Sequence, residues 1–177
     1  MFFLISAICP VHGQTLFDQG LTEFNQENYE EALPFFLEAW SADKGSARTA
    51  YYVGLTYKAM EKYPEALPYF REAASLTPRV DEGVVELIDV LYHTGNIVEA
   101  EKWIAFADKE GISTARLHFL KGMVLTKRGR LDEAVLAFET AKKLDPKLTQ
   151  QAELQIAGIY TQQGKYKDAK ERLRTTI

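Results

Sequence analysis

Small and large apolar residues recur along the chain at a nearly fixed interval, within stretches whose apolar positions follow helical spacing. Alanines spaced by 34 residues three times and by 35 once mark the interval: Ala32, Ala66, Ala100, Ala134 and Ala169. Twelve residues before them stand residues that are small in four of five copies: Gly20, Gly54, Ile88, Gly122 and Ala157. Four residues after them stand large apolar residues: Phe36, Phe70, Ile104, Phe138 and Leu173. A fixed period of this length is typical of a solenoid array, and it predicts five consecutive helical hairpins.

The small residues of the pattern have a packing role. In the second copy Gly54 and Ala66 are expected on facing helices, where small side chains let two backbones approach closely and Phe70 fills the adjoining gap. Glycine also follows the first helix in the last three copies, at Gly95, Gly129 and Gly164. Each hairpin leaves one apolar face uncovered, so its stability must come from stacking on neighbouring hairpins.

The pattern resembles the tetratricopeptide repeat family. It is most complete in the second copy, as Gly54, Tyr57, Ala66, Phe70, Ala73 and Pro78. The resemblance covers about residues 14–177, in copies at about 13–46, 47–80, 81–114, 115–149 and 150–177. It implies an all-α fold, a right-handed α-solenoid of stacked antiparallel helical hairpins. No polar helix follows the last copy, so we expect either further sequence after Ile177 or docking of this uncapped C-terminal repeat onto a partner or onto another copy of the chain.

The first 13 residues lie before the array. Phe2 to Ile8 form an apolar run, and the following residues resemble the cleavage region of an export signal, with Gln14 as the first mature residue. This pattern predicts export to the periplasm or cell envelope. Cys9, the only cysteine, would alternatively be a lipid-attachment site, and a further alternative is that the run packs against the first hairpin of a cytoplasmic protein.

Composition excludes some classes of partner. The net charge of −4 and the pI near 5.5 argue against a general affinity for nucleic acid or anionic membranes. No stretch approaches the roughly 20 apolar residues of a membrane-spanning helix. The expected partner is therefore a protein or peptide.

The sequence shows no catalytic constellation. The histidines are isolated from other metal-ligating residues, and no nucleophile elbow, phosphate-binding glycine loop or zinc-protease motif occurs. One acidic cluster is expected to form a solvated helix face: Asp81, Glu82, Glu86 and Asp89. We therefore predict no catalytic residue, no metal and no cofactor.

The resemblance implies a binding groove, because in this family the first helix of each hairpin lines a concave surface. The inward positions of the first four copies are Phe17, Leu21, Phe24, Tyr51, Leu55, Lys58, Val85, Asp89, Tyr92, Phe119, Met123 and Lys127. The fifth copy continues them with Leu154, Gly158 and Thr161. An apolar and aromatic lining suits a polypeptide. The alternative is that these side chains only pack between adjacent first helices.

These observations predict a non-enzymatic interaction scaffold that binds a polypeptide, with a role in bacterial envelope assembly or export implied by the resemblance. Two alternatives stay open. In the first alternative, the chain is a targeting or regulatory module of a larger enzyme or sensor. In the second, it is a cytoplasmic adaptor.

Overall fold

The computed structural model describes residues 10–174, which form ten α-helices and one short 3-10 helix, with no strand. The helices are α1 (Pro10–Asn25), α2 (Tyr29–Ala42), α3 (Ala47–Ala59), α4 (Tyr63–Ser75), α5 (Asp81–His93), α6 (Ile97–Lys109), α7 (Ala115–Lys127), α8 (Leu131–Leu144), α9 (Thr149–Gln162) and α10 (Tyr166–Arg174). The 3-10 helix is Pro146–Leu148, between α8 and α9. The all-α fold expected from the sequence is confirmed.

The chain divides into two compact units, and the boundary falls between Val90 and Leu91 within α5. In the N-terminal unit, α1 packs on α2, α2 on α3, and α3 on α4. In the C-terminal unit, α6 packs on α7, α7 on α8, α8 on α9, and α9 on α10. Each of these contacts joins helices that are consecutive in the chain.

Local signals set where the first helices begin and end. The Ser46 hydroxyl accepts a hydrogen bond from the Thr49 N–H at the start of α3, and the Thr114 hydroxyl accepts one from the Leu117 N–H at the start of α7. After α5 the chain reverses at Gly95, which has a positive φ of 77°. Helix α3 is followed instead by Glu61 with a φ of 58°, so a non-glycine residue adopts the left-handed conformation there.

Close helix approach at the small residues organises both cores. In the N-terminal unit, a Cβ built on Gly20 would stand 2.8 Å from the Phe36 ring. In the C-terminal unit, a Cβ built on Gly122 would stand 2.7 Å from the Phe138 ring. Phe36 and Phe138 have no exposed surface. The small residue therefore leaves the space that the phenylalanine of the same hairpin occupies.

The predicted export segment lies mainly outside the described residues. Its last part, residues 10–13, belongs to α1, and the space beside Gly13 is bounded by the Ala42 methyl group at 3.7 Å from a built Cβ. Removal of 13 residues would leave α1 from Gln14 onward, including the buried Leu16 and Phe17.

Candidate functional site

The predicted inward residues of α1 are largely used by the core. Phe17 is 4% exposed, and its ring centroid lies 5.4 Å from that of Phe36 and 5.2 Å from that of Tyr52. The Arg48 guanidinium lies over this ring, 4.5 Å from its centroid. Phe17 thus offers a ligand very little surface.

Tyr52, which the sequence did not single out, is the centre of this aromatic group. Its ring lies 5.6 Å from Phe24 and 5.5 Å from Phe36 in addition to its contact with Phe17. Leu21 and Phe24 pack half-buried against the same core. The only sequence signal for Tyr52 was its position next to Tyr51. A helical pattern alone does not say which of two adjacent tyrosines packs into the core.

Tyr51 and Leu55 on α3 are half-buried and keep part of their surface exposed. The Tyr51 ring lies 6.1 Å from Phe70 and 5.7 Å from Tyr52, both in edge-to-face geometry. These two residues share a face of α3 at a spacing of four positions. Their predicted contact with a polypeptide stays a prediction, and the structure leaves surface for it.

Lys58 and Asp89, both predicted groove residues, bind each other. The Lys58 ammonium contacts the Asp89 carboxylate and also donates to Glu86 at 2.5 Å. Glu86 and Asp89 are 5% and 7% exposed, so the prediction of a solvated acidic face is wrong for these two residues, while Asp81 and Glu82 are exposed. Burial of two carboxylates is tolerated because a cation from the preceding repeat pairs with both.

The other two predicted groove residues of α5, Val85 and Tyr92, differ in their exposure. Val85 is 6% exposed and belongs to the core. Tyr92 is half-buried in the C-terminal unit, and its ring meets the exposed His93 edge to face at 5.5 Å.

In the C-terminal unit, the predicted inward residues Phe119, Met123 and Lys127 lie on one face of α7, and Arg116 lies on the same face. We call these four residues the α7 stripe. The two end residues are exposed cations. Phe119 and Met123 are half-buried, and the Phe119 ring lies 5.2 Å from Phe138. The stripe thus presents two partly exposed apolar side chains between two positive charges.

The equivalent positions of α9, the α9 stripe, are Gln151, Leu154, Gly158 and Gln162. Leu154 is 60% exposed, and the two glutamines are exposed as well. A Cβ built on Gly158 would meet no heavy atom within 4 Å, so this position lies open. Helix α9 packs on the same core as α7 through Ala152 and Ile156.

The single acidic residue of α9 is turned away from this stripe. Glu153 is 4% exposed. Its carboxylate pairs with the Lys142 ammonium on α8 and, at 3.4 Å, with the Arg172 guanidinium on α10. Burial works against the charge of Lys142, but its hydrogen bonds to Glu139 and Glu153 raise the pKa of the ammonium on balance. Beside this network lies an open depression of about 520 Å³ lined by Glu153, Tyr160, Asp168, Glu171 and Arg172.

The two units carry opposite net charge. Residues 1–90 contain 14 acidic and 6 basic side chains, a net charge of −8, whereas residues 91–177 contain 11 acidic and 15 basic side chains, a net charge of +4. The overall value of −4 hides this difference. A ligand that discriminates by charge would therefore distinguish the two units.

No metal site or membrane span emerges from residues 10–174. Within this range no group of three or more His, Cys, Asp or Glu side chains could hold a metal ion. None of the helices described is both long and apolar enough to cross a bilayer.

Comparison with known proteins agrees with this architecture. Two family models, each described as Tetratricopeptide repeat, match residues 54–113 and 115–148. No curated protein matches the chain. Many solved structures do match it.

Three of these structures illustrate the likeness. MamA from Desulfovibrio magneticus RS-1 is 18% identical over 93% of each chain, with a TM-score of 0.84. YrrB, described as a TPR protein with an unusual peptide-binding site, is 24% identical over 92% of this chain and 83% of its own, with a TM-score of 0.77. PilF from Pseudomonas aeruginosa is 17% identical over 94% of this chain and 77% of its own, with a TM-score of 0.75. At these identities the likeness establishes the fold, and together with the two family matches it shows that the chain belongs to the tetratricopeptide repeat family.

Proposed function

We propose that this protein is a non-enzymatic scaffold that binds a polypeptide on the first-helix faces of its units. The observation that carries the proposal is Leu154, a leucine 60% exposed on the first helix of its hairpin. It occupies the position equivalent to the partly exposed Phe119 of the preceding repeat. Membership of a family whose proteins bind protein or peptide partners supports the proposal.

The energetic argument concerns the surface that a partner would cover. Burying a fully exposed leucine side chain contributes about 2 kcal/mol, at roughly 25 cal/mol per Å² of apolar surface. Single exposed leucines are common on protein surfaces. Leu154 differs from a single exposed leucine because the first helix of the preceding repeat carries further partly exposed apolar side chains. Phe119 stands at the equivalent position, and Met123 stands four residues after it. YrrB, which shares this fold, is described as having a peptide-binding site.

Leu136 provides a matched control for Leu154. It is 67% exposed, lies in the same unit, and stands on the second helix of its hairpin, α8. Replacing either leucine by aspartate removes the same exposed side chain and adds the same charge. Only Leu154→Asp removes apolar surface from a first-helix face.

The experiment is selection of random dodecapeptides displayed on phage against the full chain, followed by binding measurements on the recovered peptides. We expect the wild type and Leu136→Asp to bind the same recovered peptides, and Leu154→Asp to bind them about tenfold more weakly. Circular dichroism should give the same helicity for all three proteins. Recovery of no peptide, or equal binding by Leu154→Asp, would refute the proposal.

We propose further that the protein works outside the cytoplasm, in bacterial envelope assembly or export. The support is the apolar run from Phe2 to Ile8 and the small residues before Gln14. Intact mass and N-terminal sequencing of protein from its native host test this. A mature chain that begins at Gln14 is expected, and a chain that retains residues 1–13 in the cytoplasmic fraction would contradict it.

A further inference from the structure

We propose that α10 of one copy of this protein docks on α4 of a second copy, so that the chain self-associates head to tail. The inference goes beyond polypeptide binding on the first-helix faces, because it concerns two second helices and a contact between copies. It follows from the side chains that these two helices expose and from the opposite net charges of the two units.

Helix α10 presents a compact, positively charged surface, which we call the α10 face: Tyr166, Lys167, Lys170 and Arg174. At about 100° per residue, these four positions fall within about 100° of the helix circumference. Tyr166 is 70% exposed, and the three cations are exposed as well. The two acids of α10, Asp168 and Glu171, lie outside this arc and line the depression described above.

The cations of the α10 face are available to a partner. Within residues 10–174, the side chains of Lys167, Lys170 and Arg174 form no ion pair or hydrogen bond. Arg172, on another side of the same helix, is instead engaged with Glu139 and Glu153. A contact with the α10 face therefore breaks no ion pair of the described chain.

Helix α4 presents a complementary surface, which we call the α4 face: Glu65, Pro68 and Glu72. All three residues are exposed and lie on one side of the helix. Neither carboxylate forms an ion pair with another residue in the described range 10–174. The α4 face thus offers two negative charges with apolar surface between them.

The charges of the two faces have the same spacing. Glu65 and Glu72 are seven positions apart on α4, and Lys167 and Arg174 are seven positions apart on α10. At a rise of 1.5 Å per residue, each pair spans about 10 Å along its helix axis. Two helices lying side by side can therefore place both cations opposite both carboxylates.

The net charges of the units favour a second copy as the occupant. The N-terminal unit carries −8 and the C-terminal unit +4, so unlike units of two copies attract each other at long range. Nucleic acid and anionic membranes would also attract the α10 face, but the N-terminal unit would repel both. Exposed ion pairs are individually weak, so the contact should be reversible and sensitive to salt.

The contact joins two different surfaces, and every copy carries both of them. Such heterologous contacts produce either closed rings or assemblies that continue to grow. The average mass in solution should therefore rise with protein concentration.

The test compares four versions of the full chain by analytical ultracentrifugation at low salt, over a range of concentrations. One variant reverses the α10 face (Lys167→Glu with Arg174→Glu), and a second reverses the α4 face (Glu65→Lys with Glu72→Lys). The control is Lys143→Glu with Lys147→Glu, which makes the same charge change as the first variant at exposed positions outside both faces. Circular dichroism checks that all four proteins have the same helicity.

We expect the wild type and the control to self-associate, and about 0.3 M salt to suppress this association by screening the charges. Each face variant alone should associate about tenfold more weakly than the wild type. An equimolar mixture of the two face variants should associate again, because the reversed α10 face of one is complementary to the reversed α4 face of the other. Loss of folding in either variant could not produce this recovery.

Three results would overturn the inference: a wild type that stays monomeric at low salt, an equal weakening in the control, or a mixture that does not recover. Vesicles of phosphatidylcholine with phosphatidylglycerol test the competing occupant. If the wild type stays monomeric but sediments with these vesicles, and Lys167→Glu with Arg174→Glu abolishes that binding, the α10 face binds an anionic membrane and the inference is wrong.

Discussion

The ring of Phe70 fills the space beside Gly54, so that a Cβ added to Gly54 would stand 2.8 Å from two of its carbon atoms. Both residues belong to one hairpin, Gly54 on α3 and Phe70 on α4, and Phe70 has no exposed surface. Real Cβ atoms essentially never come this close to another heavy atom. The contact therefore requires glycine for a reason of space.

Two glycine substitutions should change stability in opposite directions. Gly54→Ala should lower the free energy of unfolding by about 1–3 kcal/mol because the methyl group overpacks the helix crossing. Gly158→Ala, also within a first helix, should raise it by up to about 1 kcal/mol because the position is open and alanine favours helix. Urea unfolding followed by circular dichroism measures both, and a stabilising Gly54→Ala would refute the packing argument.

The turn after α3 should become more stable when its left-handed residue is changed. Glu61 has a φ of 58°, and Gly95 holds the equivalent place after α5 with a φ of 77°. Glu61→Gly should raise the free energy of unfolding by up to about 1 kcal/mol, because glycine avoids the left-handed steric cost but loses more backbone entropy. Gly95→Glu should lower it by about 1–2 kcal/mol. Thermal unfolding of the two single variants checks the pair, and equal melting temperatures would contradict it.

Two lysines predicted for the groove should behave differently when uncharged. Lys58→Met leaves the buried Glu86 and Asp89 without their shared cation. We therefore expect the free energy of unfolding to fall by about 3 kcal/mol. Lys127→Met, at an exposed position, should alter stability by less than about 0.5 kcal/mol. Chemical denaturation distinguishes them. The triple change Lys58→Met, Glu86→Gln, Asp89→Asn should recover part of the loss, and an unchanged stability in Lys58→Met would contradict the stabilising role of these ion pairs.

His118 should make the protein less stable in mild acid. Burial, followed by the positive charge of Lys121, lowers the pKa of His118, against an opposing effect of Asp108. Its ring nitrogen shares a 2.9 Å hydrogen bond with the Ser113 hydroxyl. Since the folded pKa lies below the unfolded value of about 6.5, this stability is present above that value and is lost as the pH falls through the folded pKa.

The measurement is the difference in unfolding free energy between about pH 7 and about pH 5. His118→Gln should reduce this difference because the variant has no group to protonate there. An unchanged pH dependence in His118→Gln would show that other groups account for it.

The sequence predicted the helices and the contacts that depend on the repeat itself. Gly54 and Phe70 meet as expected because the same pair recurs in several copies, so the period identifies it. The separate roles of Phe17 and Leu154 could not be predicted in this way. Both are apolar residues at equivalent helical positions, and only the packing of neighbouring helices decides that one is 4% exposed and the other 60%.

The ion pairs also could not be predicted from the period of the sequence. Glu86 and Asp89 lie 28 and 31 residues after Lys58, so their contact depends on how successive repeats stack. The opposite net charges of the two units can be counted from the sequence, but only after the boundary at Val90 and Leu91 is known. The acid-free surface of α9 depends likewise on the burial of Glu153.

The packing of helices on their immediate neighbours in the chain has a consequence for folding. Contacts of this kind have low contact order, so little loop entropy opposes their formation and rapid folding is expected. They also allow one part of a repeat array to open while another stays folded. A ligand on α7 and α9 should therefore slow amide hydrogen exchange mainly in the C-terminal unit, and the exchange pattern would report which repeats it holds together.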